Sequence, residues 1–259
     1  MARWLKYLLL GIVGAAFAAL IACSFQAGRQ LRSGRICERL EVVIIDSLEN
    51  HFVSAEDVRK FLEKGYGEYS GTPIDNIDLV KVEEIVNSRS AVRESQAYMT
   101  KDGSLHIDVT QRRPVVRFQK KDGGFYADAH GYIFPLQNSF ASHVQIIDGH
   151  IPLAANSGYK GELSSPEEKE WFTKIMALVN YMEDSQQLKD MIVQIHVKQN
   201  GDLILIPREG EEQFLFGQPH SLEDKFMRMQ KYYTAIVPEK GSGKYKVIDL
   251  RFKGQIVCR

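Results

Sequence analysis

Hydrophobic positions form one unbroken block near the start of the chain and short alternations after it. Tyr7 to Phe25 (YLLLGIVGAAFAALIACSF) runs 19 residues without a charge. At ~1.5 Å per residue a helix of this length spans ~28 Å, close to the hydrocarbon thickness of a bilayer. The segment is apolar on every face, which suits lipid better than one side of a globular core. Leu8, Leu9, Leu10, Ile12, Val13, Phe17, Leu20 and Ile21 are the membrane-spanning candidates, and Gly11, Ala15 and Ala19 add a small-residue face. Arg3 and Lys6 precede the block and Arg29, Arg32 and Arg35 follow it, so charge count leaves the orientation open. A short arm before a long body favours a single pass with the body translocated. Leu20-Ile21-Ala22-Cys23 also looks like a lipobox, so a cleaved signal with a lipidated Cys23 is the competing reading.

Beyond the block the periodicity changes element by element. Leu40 to Ile45 (LEVVII) reads as a buried strand. Ser54 to Asp57 resembles a capping box, and Val58, Phe61 and Leu62 then form one helical face. Asp78 caps a second helix with Leu79, Val82, Ile85 and Val86 on one side. Val92 to Thr100 and Ser104 to Gln111 alternate around Asp102-Gly103, a two-residue hairpin signal. The order is β-α-α-β-β, and Arg113-Pro114 ends the last strand.

The remainder reads as β-rich with two helices. Phe125 to Phe134 gives strand, turn, strand, and Val144 to Gly149 gives a short strand. Ser165-Pro166-Glu167-Glu168 predicts a capping box with proline at the first helical position, followed by a stripe of Trp171, Ile175, Leu178, Val179 and Met182. Met191 to Val197 and Leu203 to Ile206 flank Asn200-Gly201 as a second hairpin, and Phe214 to Gly217 is a strand. Ser221 starts a last helix with Leu222, Phe226, Met229 and Tyr233 on one face. Lys244 to Phe252, Lys253-Gly254 and Gln255 to Val257 form a terminal hairpin whose short last strand is a candidate open edge.

Composition removes several function classes. The chain has 259 residues, 33 basic and 33 acidic side chains and a net charge of zero, with no electrostatic footprint for nucleic acid. Cys23, Cys37 and Cys258 include no CxxC pair, and free thiols are expected at Cys37 and Cys258. The seven histidines show no HExxH spacing, so neither a metal site nor a cofactor is expected. Gly241-Ser242-Gly243-Lys244 lacks the first glycine and the hydroxyl residue of a phosphate loop. Glu56-Asp57, Glu167-Glu168 and Glu223-Asp224 each fall in a first helical turn, where they suit the helix dipole rather than acid-base catalysis. A membrane-tethered wall hydrolase would need a catalytic residue, and the sequence nominates none.

Three stretches, VSAEDVRKFLEK, DLVKVEEIVNSRSAVRESQAYM and LHIDVTQRRPVVRF, placed after a single membrane segment, resemble a POTRA domain. The Arg113-Pro114 exit, the Phe125–Phe134 hairpin, the Phe214–Gly217 strand end and above all YKVIDLRFKGQIVCR are similar to the bacterial cell-division family FtsQ/DivIB. The resemblance implies an α+β chain: an arm and transmembrane helix over 1–35 (span about 7–25), a POTRA-like domain over 36–112, and an FtsQ-like β-domain over 113–259. It implies a non-enzymatic divisome scaffold at the septum, single-pass in the inner membrane with its bulk in the periplasm. FtsB/FtsL-type proteins, septal peptidoglycan synthases and membrane lipid are the implied partners, with no small-molecule substrate. The partner-binding candidates are Arg251, Phe252, Gly254, Gln255, Ile256 and Val257. Phe252 stands where the family has tyrosine, and the family's terminal tryptophan is absent. The alternative is a lipid-anchored POTRA adaptor in envelope or outer-membrane assembly.

Overall fold

The structure is a computed structural model that describes residues 13–24, 35–48 and 51–259. Residues 13–24 form a helix, α1, with Val13, Phe17, Leu20 and Ile21 all more than half exposed. No helix among the described residues is long and apolar enough to cross a membrane. The expected span begins at Tyr7, and its candidates Leu8, Leu9, Leu10 and Ile12 lie outside the described residues. The chain divides into two compact units, Met1–Asp46 with Val53–Thr110, and Ser47–Phe52 with Gln111–Arg259.

The first unit has a three-stranded sheet in the order β1-β3-β2, built from β1 (Arg39–Ile44), β2 (Val92–Met99) and β3 (Ser104–Gln111). β1 runs parallel to β3, so the chain must cross over, and it does so through α2 (Ala55–Gly65) and α3 (Leu79–Asn87). Both halves of the Ser54/Asp57 capping box are made, and Asp78 caps α3. Val58, Leu62, Val82 and Val86 from the helices are buried along with Leu105, Ile107 and Val109 of β3. The β2–β3 turn is longer than the sequence suggests. Thr100 N–H bonds Ser104 O, leaving three loop residues, because the Asp102 carboxylate gathers the Thr100 hydroxyl and the Ser104 N–H and hydroxyl.

The second unit carries nine strands in one mixed sheet, ordered β12-β11-β10-β9-β8-β7-β4-β5-β6. They are β4 (Pro114–Lys120), β5 (Gly123–Asp128), β6 (Ile133–Pro135), β7 (Gln145–Gly149), β8 (Ile192–Val197), β9 (Leu203–Pro207), β10 (Gln213–Gly217), β11 (Val247–Asp249) and β12 (Val257–Cys258). Two of its parallel joints are bridged by helices: α4 (Pro166–Glu183) and α5 (Gln186–Met191) link β7 to β8, and α6 (Leu222–Lys231) leads from β10 toward β11. Both crossovers step the same way between strands of the same polarity, so equal handedness puts α4 and α6 on one face. They share one core, in which Ile175, Leu178, Val179 and Met182 meet Ile195, Leu205, Phe214, Phe216 and Met229. Phe52 adds its ring edge-on to Tyr126, Phe134 and Phe140.

Several expectations are corrected. The unit has more than two helices: Ser185 caps the short α5, and α6 continues through a π turn (Tyr232–Ile236) into α7 (Val237–Lys240). The buried stripe ends on Tyr232, three residues past Met229 and 1% exposed, while Tyr233 is only partly buried. Ser165 accepts from Glu168 N–H, but Glu168 does not return the bond, because its carboxylate takes Ala154 N–H at 2.6 Å. Ser221 sits at φ 51° with no side-chain cap, so α6 begins from a left-handed residue. The long strand expected from Lys244 to Phe252 stops at Asp249, and the last strand is Val257–Cys258 rather than Gln255–Val257.

Candidate partner-binding edge

The early stop of β11 follows from Asp249. Its side chain, 1% exposed, accepts the Arg251 backbone N–H at 3.1 Å, which folds the chain out of the strand two residues on. The Arg251 guanidinium then returns to the same carboxylate, with Nε donating at 2.9 Å and Nη2 at 2.7 Å, while Nη1 lies 3.5 Å from Asp202. These hydrogen bonds hold the Asp249 carboxyl below its ordinary 3.8 against the opposing effect of burial. Gly217 at the end of β10 makes room for the arrangement, since a Cβ there would lie 2.9 Å from Arg251 Cγ. Arg251 is thus a fixed, largely neutralised group rather than a free cation.

Phe252 follows with its ring 49% exposed. Gln255 N–H donates to Phe252 O at 3.3 Å, closing a turn in which Gly254 takes φ +69° at the third position, as a glycine-favouring turn requires. Gln255 is exposed and Ile256 half-buried, and Val257 then pairs with Asp249. All six sequence candidates therefore sit on one corner and the strand that leaves it.

β12 is the outermost strand of the sheet. Arg259 and Val247 exchange N–H and C=O bonds at 2.9 and 3.1 Å, so they are a hydrogen-bonded pair of the antiparallel ladder. By the alternation of such ladders, Val257 bonds inward and Cys258 turns its N–H and C=O away from β11; the same alternation carries to Ile256. Ile256 and Cys258 pack partly against the core, beside Ile236, Val237 and Tyr245. Burial pushes the Cys258 thiol up in pKa, so it stays protonated at neutral pH. The opposite edge is closed: Ile133 of β6 exchanges both backbone bonds with Gly161, at 3.0 and 2.9 Å, and Pro135 has no N–H to offer.

Two buried cations from α6 escaped the sequence reading. Lys225, 2% exposed, donates to Phe216 O at 2.8 Å and Gln218 O at 2.7 Å, and burial, with the nearby Arg228, pushes its ammonium down in pKa. Arg228, 5% exposed, bonds the corner itself. The available signal was their spacing, since both stand among Leu222, Phe226 and Met229 at helical intervals where a surface charge does not belong.

Asp148 and His196 face each other across β7 and β8 at 2.9 Å, and Gln194 donates to the same carboxylate. No group of three or more His, Cys, Asp or Glu among the described residues is placed to hold a metal ion.

A family model described as POTRA-like domain matches residues 35–110. A second, described as FtsQ/DivIB, C-terminal related, matches residues 113–259, more than half of the chain. No curated protein matches it. By these matches the chain, with its Asp249-Leu250-Arg251-Phe252 corner, belongs to the FtsQ/DivIB family of cell-division proteins.

Proposed function

We propose that this protein is a non-enzymatic divisome scaffold that takes up a strand from an FtsB/FtsL-type partner along β12 and so helps organise septal peptidoglycan synthesis. FtsQ/DivIB and POTRA-like domains are generally non-catalytic scaffolds, which agrees with this role. The observation that carries it is the contrast between the two edges: β6 is closed by Gly161 and Pro135, while Cys258 and Ile256 face outward with their backbone groups unpaired. A strand laid there gains main-chain hydrogen bonds, and its inward side chains extend the apolar shelf of Tyr245, Ile256 and Cys258. Its sequence should therefore alternate apolar and polar residues. The N-terminal block would hold the scaffold in the inner membrane, with its bulk in the periplasm.

The test is Cys258→Pro in the full-length chain. Proline removes only an N–H that points away from β11, so the inner ladder and the circular dichroism spectrum should be retained. Recovery of FtsB/FtsL-type subunits by quantitative co-purification should fall ~10-fold or more, as expected for losing a main-chain bond and crowding the edge. Equal recovery would move binding to the POTRA-like domain or the membrane segment. If the unmodified chain recovers no division protein, the lipid-anchored adaptor takes its place.

A further inference from the structure

Arg228 lies on α6, away from β12 in sequence, yet its guanidinium organises the corner from which β12 emerges. Arginine has five N–H donors, and here each has an acceptor. Nε and one Nη2 hydrogen go to Asp224 Oδ2, at 3.1 and 2.8 Å. The other Nη2 hydrogen goes to Leu250 O at 3.0 Å, and Nη1 goes to Phe252 O at 2.8 Å and Gln255 O at 2.5 Å. One planar group thus spans the whole corner between β11 and β12, and Asp224 fixes its plane. The side chain is 6% exposed, so water does not supply these bonds in its place. At its start the corner is also held by Leu250, buried and donating its N–H to Leu215 O at 3.0 Å, and by Arg251 on Asp249 and Asp202; beyond Arg251 the further backbone bond is the Gln255–Phe252 turn.

We infer that Arg228 is a positioning residue for the binding edge, presetting the Leu250–Gln255 corner so that Phe252 faces outward and β12 is laid on β11 before a partner arrives. This inference rests on the reading of β12 as the binding strand. Preorganisation of this kind removes the ordering cost that a loose corner would add to binding. Lysine cannot replace the group, because a single ammonium has three donors and no fork with which to hold three separated carbonyls and a carboxylate.

The experiment uses the full-length chain with Arg228→Lys, and with the milder Asp224→Ala, which leaves Arg228 in place but removes its anchor. Two readouts are taken: amide hydrogen exchange by peptide, and capture of an FtsB-type subunit as the probe. The expected result is exchange at least ~10-fold faster over residues 250–258 with β4 to β8 unchanged, and capture weakened by a similar factor, larger for Arg228→Lys. Unchanged exchange at the corner in both variants overturns the inference, whatever capture does. Faster exchange with undiminished capture, in a protein whose Cys258→Pro variant loses capture, also overturns it, because the partner then needs no preset corner. If Cys258→Pro leaves capture intact, strand addition is what fails, and exchange alone decides whether Arg228 sets the corner. Should Arg228→Lys not fold, Asp224→Ala, whose site is 39% exposed, carries both readouts.

Discussion

Asp249 concentrates three jobs in one carboxylate: it pairs in the ladder with Val257, it turns the chain through Arg251 N–H, and it neutralises the Arg251 guanidinium. Its pKa is held below 3.8 in the folded protein, so the unfolded chain binds the proton more readily. The pair's contribution is therefore fully present above pH ~3.8 and is lost as pH falls through the lower folded value. Asp249→Asn should lower the melting temperature near neutral pH, by an amount corresponding to about 1–3 kcal/mol, and the deficit should shrink in acid. A deficit in thermal melts that stays constant from pH 7 to pH 2 would count against this ionised pair. Ser221 offers the opposite case. Its φ of 51° strains a residue with a Cβ, and its side chain makes no cap bond, only a long 3.4 Å contact to His220. Ser221→Gly should stabilise the fold by up to about 1 kcal/mol, read as a melting temperature raised by a few degrees. No gain would mean that the hydroxyl contributes more than its geometry indicates.

At the level of elements, the register of β12 separates two adjacent residues. Val257 turns its N–H toward β11 and Cys258 turns its own outward, so proline tests the ladder residue by residue. Val257→Pro should loosen the terminal hairpin, with faster amide exchange at Val247 and Asp249, whereas Cys258→Pro should leave those amides protected. The reverse pattern would place the strand one residue out of register. In the first unit the signals that were local held, namely Ser54 with Asp57, Asp78 as a cap, and period-two burial through Leu105, Ile107 and Val109. By contrast β1, expected to be buried, is an outer strand, with Val43 in it 49% and Ile45 just after it 64% exposed. The sequence also placed a turn at Lys253-Gly254, where Gly254 takes φ +69°, but not the Asp249–Arg251 contacts that end β11 early. What else it missed depends on partners far along the chain. Glu168 abandons its capping box for Ala154, Gly217 yields space to Arg251, and Arg228 serves carbonyls 22 to 27 residues away. The π turn after α6 likewise has no local motif that announced it.

For the whole molecule the open question is how the scaffold is held, because a strand edge of two or three residues offers few bonds. Under the proposed function, membrane anchorage would offset this: confining scaffold and partner to one membrane raises their effective concentration without adding a contact. In the described part of the N-terminal block, Val13, Phe17, Leu20 and Ile21 line one stripe of the helix at 62, 67, 66 and 56% exposure, and the smaller residues on its other sides are exposed as well. The uncharged run from Tyr7 to Phe25 has, by sequence, the length that a bilayer-spanning helix needs. The full chain should accordingly remain with membranes through high-salt and alkaline washing and leave them only in detergent. Cys23→Ser separates the two ways of being held. A spanning helix predicts unchanged membrane retention and an unchanged mass for the intact chain. A lipid on Cys23 predicts a chain shortened by the residues before it, together with loss of normal processing in the variant. Retention with the N-terminus intact would leave β12 to supply specificity while the membrane supplies proximity, which is the division of labour that so short an edge requires.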